Sequence, residues 1–260
     1  MSGERRLDRR GFLARGLAAA SAALLGGCDD LSDQPWVRRV LDSAETLTRV
    51  TQEALLSPGA LAREYREADL SREFKANGST NPDDAAYVAH AENGFTDWKL
   101  LVGGLVEEPL ELSLAELRAM PSRTQITRHD CVEGWSCIGK WKGVKLSALL
   151  ERARLKQDAR YIVFYCADDL GQTGTEADKY YESIGLADAF HAQTILAYEM
   201  NDQTLPIAHG APLRLRVERQ LGYKMAKYVM RIEAVDGLAG IRGGRGGFWE
   251  DLGYEWYAGI

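Results

Sequence analysis

Residues able to do chemistry crowd one short stretch of the chain, Arg128-His129-Asp130-Cys131-Val132-Glu133-Gly134-Trp135-Ser136. A cysteine set among His, Asp and Glu can serve as a nucleophile, as a thiolate ligand for a soft metal, or as an inert packed thiol. The stretch alone does not choose among them. His129 and Glu133 each stand two positions from Cys131, so in an extended segment all three share a face. Downstream, His209, Arg214, Arg216, Arg219, Lys224, Lys227 and Arg231 concentrate positive charge in a chain that is acidic overall, with 32 Lys and Arg against 38 Asp and Glu. Such a cluster suits a phosphate, which needs fixed cations and N–H donors, or it is simply a solvated strand face. The net charge of -6 gives no general attraction for nucleic acid.

These residues need a scaffold, and the periodicities supply one. Trp98 to Val106 alternates and predicts a strand with Gly103-Gly104 as a bend or bulge. Ser113-Leu114-Ala115-Glu116 has the capping-box pattern and opens a short helix closed by Pro121. Thr124 to Thr127 reads as a strand leading into Cys131, Lys145 to Arg154 as a helix with a leucine face, and Tyr161 to Cys166 as a buried strand. Leu213 to Val217 alternates apolar and basic, which sets Arg214 and Arg216 on one face, and Tyr228 to Val235 is a further strand. Short strands with short helices predict an α+β fold with a mixed β-sheet. Residues 77–84, NGSTNPDD, are turn chemistry, as is GQTGTE at 171–176. The tail reads as a glycine-rich loop near the site mouth followed by an aromatic packing strap.

The first 27 residues read as an address. Arg9-Arg10-Gly11-Phe12-Leu13, followed by a short apolar run, resembles a twin-arginine export signal, and Leu25-Gly26-Gly27-Cys28 resembles a lipoprotein cleavage box. Lipid on Cys28 would tether a soluble protein to a membrane face, and Asp29 resembles an inner-membrane retention signal. Without residues 1–27 the chain keeps 27 basic and 36 acidic groups, a net charge of -9. Residues 28–73 read as a helical spacer, helical to about Arg72, and residues 74–260 as one compact domain.

Several separated blocks fall in register with a known family. Cys131-Val132-Glu133-Gly134-Trp135-Ser136, then Trp141 and Gly143, then His209-Gly210-Ala211-Pro212-Leu213-Arg214, and finally Gly222-Tyr223-Lys224-Met225-Ala226-Lys227 resemble the sulfite oxidase family of molybdopterin enzymes. Within it they most resemble the bacterial periplasmic methionine sulfoxide reductases, over roughly residues 74 to 236. The resemblance implies a molybdenum-molybdopterin cofactor with Cys131 as the thiolate ligand. It implies that Arg214 and Lys227 bind the pterin phosphate, that Met225 and Ala226 offer backbone contacts, and that Asn77, Cys166 and His209 also touch the cofactor. Where the reductases carry Asn, this chain has His209, whose charge would add a pH dependence. Cys166 stands where they have Thr, with core packing as its other reading. Glu133 is expected near the metal, as a proton gate or a surface ion pair, with His129 beside the site and not as a ligand.

The activity so implied is a two-electron Mo(VI)/Mo(IV) oxidoreductase that moves an oxygen atom to or from a small S-oxide, N-oxide or similar substrate. A monomeric protein is expected. The arginine-rich continuation that binds sulfite in animal and plant enzymes is replaced by Val132-Glu133-Gly134, which disfavours sulfite. No Cys-x-x-Cys-His haem motif occurs, so electrons pass through a separate cytochrome or membrane haem or quinone protein. Two alternatives remain at this level. One is an inactive exported lipoprotein that binds a ligand or scaffolds a complex. The other is a copper or zinc site using Cys131 with His129, His191 or His209. No role is assigned to Cys137.

Overall fold

The computed structural model describes residues 59–171 and 178–260, with isolated positions between 34 and 51. The signal, Cys28 and nearly all of the GQTGTE turn lie outside the described residues. Contacts divide the chain into residues 1–55 and 56–260. In the first unit the described positions Trp36, Val37, Val40, Ser43, Ala44, Leu47 and Thr51 are helical.

The stretch expected to stay helical to about Arg72 is instead without α-helix from Ala60 onward, with one 3-10 turn at Glu67–Asp69. Pro58-Gly59 is the stop signal that the charged periodicity concealed. This segment pairs with the compact unit: Tyr65 N–H donates to Ile126 O, Ser71 N–H to Ile138 O, and Glu64 bridges Thr127.

Two sheets form that unit. The first is mixed, in the order β2 (Leu110–Ser113), β1 (Lys99–Gly104), β10 (Val229–Val235), β5 (Tyr161–Asp169), β6 (Lys179–Gly185), with β1 and β10 parallel and the other neighbours antiparallel. The second is antiparallel, in the order β3 (Ser122–Asp130), β4 (Ser136–Lys145), β7 (Ile195–Met200), β8 (Gln203–Thr204), with β9 (Arg214–Arg216) also on β7. They share one core, to which the first contributes Leu100, Phe164 and Ile232 and the second Val144, Leu196 and Leu215.

Local chemistry accounts for the joints. In β1, Leu100 and Val102 are buried while their neighbours face out, and Gly104 ends the strand at φ +77. A Cβ there would lie 2.3 Å from Ala234 O, so the close approach of β10 demands glycine. Helix α1 (Ala85–Glu92) is capped by Asp84, which accepts from Tyr87 N–H. Helix α2 (Leu114–Ala119) has the full capping box, with Ser113 Oγ accepting from Glu116 N–H and Glu116 accepting from Ser113 N–H. Helix α3 (Leu146–Ala153) buries Leu146, Leu149, Leu150 and Ala153, each leucine contributing roughly 1.5–3 kcal/mol. Short helices α4 (Leu186–Ala189) and α5 (Phe248–Asp251) complete the unit. The result is an α+β fold of mixed and antiparallel sheets, with the β3–β4 turn, the β5–β6 end and the segment after β9 brought to one place.

Candidate active site

Cys131 sits where β3 runs out. Its N–H donates to Trp135 O at 2.9 Å, its O accepts from Gly134 N–H at 3.0 Å, and Gly134 takes φ +87. That is a tight turn between β3 and β4, so Glu133 does not follow Cys131 on one extended face as the sequence spacing suggested. Glu133 nevertheless lines the same cavity. Its carboxylate is exposed, accepts from Trp135 Nε1–H at 2.8 Å and lies 3.6 Å from Lys75. The indole hydrogen bond and Lys75 hold it below the usual carboxylate range. It is ionised at neutral pH and is poorly suited to hold a proton there.

The cavity beside Cys131 has a volume of about 150 Å³. Of the residues expected in the site, Asn77, Cys131, Glu133, Met225 and Lys227 line it. Cys166, His209, Arg214 and Ala226 do not line it. Burial pushes the Cys131 thiol up, against the pull of Glu133 N–H, so a thiolate here calls for a bound cation.

The basic cluster separates into paired and unpaired members. Arg216 is fully buried and donates to Glu218 at 2.6 Å, Arg219 to Asp188 at 2.9 Å, Lys224 to Glu182 and Glu250 at 2.5 Å each, and Arg231 to Glu233. Arg214 and Lys227 have no carboxylate at ion-pair distance among the described residues. Arg214 is fully buried, donates only Nη1, to His209 O at 3.1 Å, and leaves Nε and Nη2 without a partner. Lys227 Nζ donates to the carbonyls of Asn77, Ser79 and Ala208. Burial and the Arg216 charge bring Arg214 down to about 9, and burial and Arg214 bring Lys227 down to about 7. The solvated-face reading of this strand fails, because Arg214 and Arg216 are both buried.

Around these cations other buried polar atoms also lack partners: Asn77 Oδ1, Asp168 Oδ1, His209 Nδ1 and His129 Nε2. Arg216 Nη1–H donates to His129 Nδ1 at 3.1 Å, which leaves the ring proton on Nε2. Burial and Arg214 hold His129 well below its usual range. The same causes, with Lys227, hold His209 at about 4, so it is neutral in this structure and the expected pH dependence from its charge falls away near neutrality. Phe74 packs between these parts, its ring 5.7 Å from His129, 5.3 Å from Trp141 and 5.6 Å from His209. Buried polar atoms are rarely left orphaned. A set containing cationic donors, a ring donor and carbonyl or carboxylate acceptors answers to a ligand that is part anion and part heterocycle.

The profile of the family described as "Oxidoreductase molybdopterin binding domain" matches residues 87–238. A provisionally named protein-methionine-sulfoxide reductase subunit of Azospira oryzae is 37% identical over 251 residues, 96% of this chain and 87% of that protein. A protein-methionine-sulfoxide reductase catalytic subunit of Xanthomonas axonopodis is 31% identical, over 88% of this chain and 70% of its own length. This chain belongs to the sulfite oxidase family of molybdopterin-binding oxidoreductases. Among solved structures, the sulfane dehydrogenase SoxCD of Paracoccus pantotrophus is similar at a TM-score of 0.49 and 25% identity, covering 54% of this chain and 39% of that one.

The residues present fit the family's cofactor. Orphaned Arg214 Nε and Nη2 answer to a phosphate, and the unpartnered acceptor Asn77 Oδ1 answers to an N–H group of a pterin. Gly222 lines the cavity, and a Cβ there would stand 2.3 Å from the His129 ring, so the backbone is held close at that point. A single thiolate suffices for a metal also held by a dithiolene. Among the described residues no group of three or more His, Cys, Asp or Glu could hold a metal ion, so nothing there supports the copper or zinc alternative. His191 is engaged with Ala60 O at 3.0 Å.

Other expected contacts are already committed. Met225 N–H donates to Gly222 O and Ala226 O accepts from Leu215 N–H, which leaves Met225 O and Ala226 N–H as the backbone groups on offer. Cys166 is packed in the main core, its thiol pushed well up by burial. Cys137 is half-buried, its thiol 3.8 Å from Glu73 O. Sequence reasoning missed Asp168, Tyr180, Tyr223, Trp249 and Tyr254, all of which line the cavity. The only signal for Asp168 was its place two residues beyond Cys166 on the same strand.

Proposed function

We propose that this chain is the catalytic subunit of an S-oxide reductase working outside the cytoplasm, with one molybdenum held by Cys131 and a molybdopterin. The observation that carries the reading is that Cys131 and the buried cation Lys227, from distant segments, line one cavity in a molybdopterin-binding oxidoreductase. The names of the relatives that match most of the chain support reduction of a methionine S-oxide. The overall change is R2SO + 2 H⁺ + 2 e⁻ → R2S + H2O.

When bound, the molybdenum centre supplies the two-electron Mo(VI)/Mo(IV) change. The chain supplies position, charge and protons. Cys131 would hold the metal at a strand end, and Arg214 with Lys227, both buried, would neutralise the cofactor's phosphate. Asp168 is buried, lines the cavity and is raised by burial to about 7, against the pull of Lys227, so its carboxyl holds a proton on part of the molecules at neutral pH. It is the group best placed to deliver a proton to the departing oxygen. Glu133, kept ionised by Trp135 and Lys75, contributes negative charge at the cavity edge.

Arg9-Arg10 and the box ending at Cys28 support export and a membrane tether. The word "subunit" in the relatives' names and the absence of a haem motif in this sequence support a separate cytochrome or membrane haem or quinone protein as electron donor. Protein matured in a molybdenum-replete host should carry near one molybdenum and one pterin per chain and reduce methionine S-oxide with a reduced viologen dye. A Cys131→Ser variant should lose molybdenum and turnover; a variant that kept both would sink the assignment.

A further inference from the structure

The family profile ends at residue 238, yet two of the cavity's walls come from beyond it. Trp249 and Tyr254 line the cavity and stack on one another, centroids 5.4 Å apart and planes 28° apart. Tyr223 meets Tyr254 edge-on at 5.3 Å. With Tyr180, four rings thus line the space beside Cys131.

Many ties hold this segment in place. Glu250 is fully buried and accepts from Lys224 at 2.5 Å, while Asp251 accepts from the N–H groups of Gly243 and Arg245 at 3.0 Å and from Tyr181 O–H at 2.5 Å. Tyr223 O–H donates to Glu255 O, Leu221 N–H to Ala258 O, and Trp256 Nε1–H to Ser183 Oγ. A Cβ on Gly243 or Gly247 would collide with Asp251 or Glu250. The wall is therefore fixed before anything binds, which reduces the cost of ordering it around a ligand. Its outer edge is open, with Tyr254 38% and Val132 48% exposed, so a side chain on a larger molecule can reach in.

The chemistry of such a wall is selective. Aromatic faces carry the negative side of a quadrupole and attract C–H groups and sulfur at their edges and faces. Asp168 and Glu133 add carboxylates to the same cavity. With the charge of Lys227 taken up by the cofactor's phosphate, these carboxylates are the charges left beside the wall, and they disfavour a small inorganic oxyanion but not a neutral S-oxide with an aliphatic arm. We infer that Trp249 and Tyr254 are the specificity-determining residues of this protein, an aromatic wall that receives the apolar arm of a neutral organic S-oxide. This rests on the S-oxide reduction proposed above and adds to it the residues that select the substrate.

The test compares wild type, Trp249→Ala, Tyr254→Ala and Trp249→Phe, each checked for the same cofactor content and melting temperature. Turnover with a reduced viologen is measured on N-acetylmethionine S-oxide methyl ester, which has an apolar arm, and on dimethyl S-oxide, which has none. Binding of the product thioether, N-acetylmethionine methyl ester, is measured by calorimetry on the cofactor-loaded protein. In Trp249→Ala the ratio of kcat/KM for the first substrate over the second should fall about tenfold, through KM, as expected for loss of a sulfur and C–H contact with a ring. Tyr254→Ala should lower it several-fold, and Trp249→Phe should restore most of it. An unchanged ratio and unchanged thioether binding in both alanine variants would overturn the inference while leaving the reductase reading intact. A wild type that reduces no S-oxide sinks that reading instead. Thioether binding then decides the wall: weakened about tenfold in Trp249→Ala it stands, unaltered it falls.

Discussion

Replacing Arg214 by methionine should make the cofactor-free protein more stable and the mature protein worthless as an enzyme. Arg214 is fully buried with two guanidinium nitrogens unpartnered, and burial with the neighbouring Arg216 charge lowers it well below the ordinary guanidinium value, to about 9. At about 1.36 kcal/mol per decade this is on the order of 5 kcal/mol against the charged form. Relaxation and water entry reduce such costs, and exchanging buried charges for apolar groups yields roughly 1–4 kcal/mol. The contact of Arg214 over the Trp141 ring, 5.3 Å to its centroid, is also lost, at a cost of about 1 kcal/mol. A base lowered in the folded state binds its proton more tightly when unfolded, so the destabilisation is full below about 9 and fades as pH rises from there towards the ordinary guanidinium value. At pH 7 the cofactor-free variant should melt higher, by about 2–4 °C for each kcal/mol gained. Calorimetric melting of chains made with and without pterin synthesis, alongside molybdenum and pterin content, reads both effects. Should cofactor-free Arg214→Met melt below the wild type, Arg214 is already satisfied by the protein, and the pocket is not built around an anion.

Asp168→Asn should remove a fall in activity as pH rises through about 7, since the protonated carboxyl is the working form, and should lower the rate about tenfold on the acidic side; a pH profile of kcat settles it. Glu133→Gln should leave the shape of that profile intact above pH 5, because Trp135 and Lys75 already keep Glu133 ionised. Gly222→Ala would put a methyl 2.3 Å from the His129 ring and 3.2 Å from Asp130 O, and should cost about 1–3 kcal/mol in urea unfolding.

Local rules made parts of this site legible in the sequence. The Ser113 capping box, the leucine face of α3 and the alternation that places Arg214 beside Arg216 are all properties of a few neighbouring residues, and each is seen in the structure. The same alternation extended by one step puts Glu218 next to Arg216, which would have shown that only one of the two arginines is left for an anion. The tight turn after Cys131 was hidden because Glu133 was read with strand spacing, although Gly134 marks the turn. Asp168, Tyr180, Trp249 and Tyr254 were beyond reach for a different reason. They meet only because β5, β6 and the segment after β10 converge, and no spacing along the chain records that.

The buried trio of Lys224 with Glu182 and Glu250 bears on how such a protein is made. It ties a residue of β6 and a residue beside the cavity to one that leaves the ribosome after both. Until residue 250 emerges, Glu182 and Lys224 form an incomplete set, and until residue 254 emerges one side of the cavity has no wall. Translation order therefore becomes an order of assembly: the cysteine and the cations of the pocket are in the chain before its aromatic wall, and the last residues made are the ones that complete it.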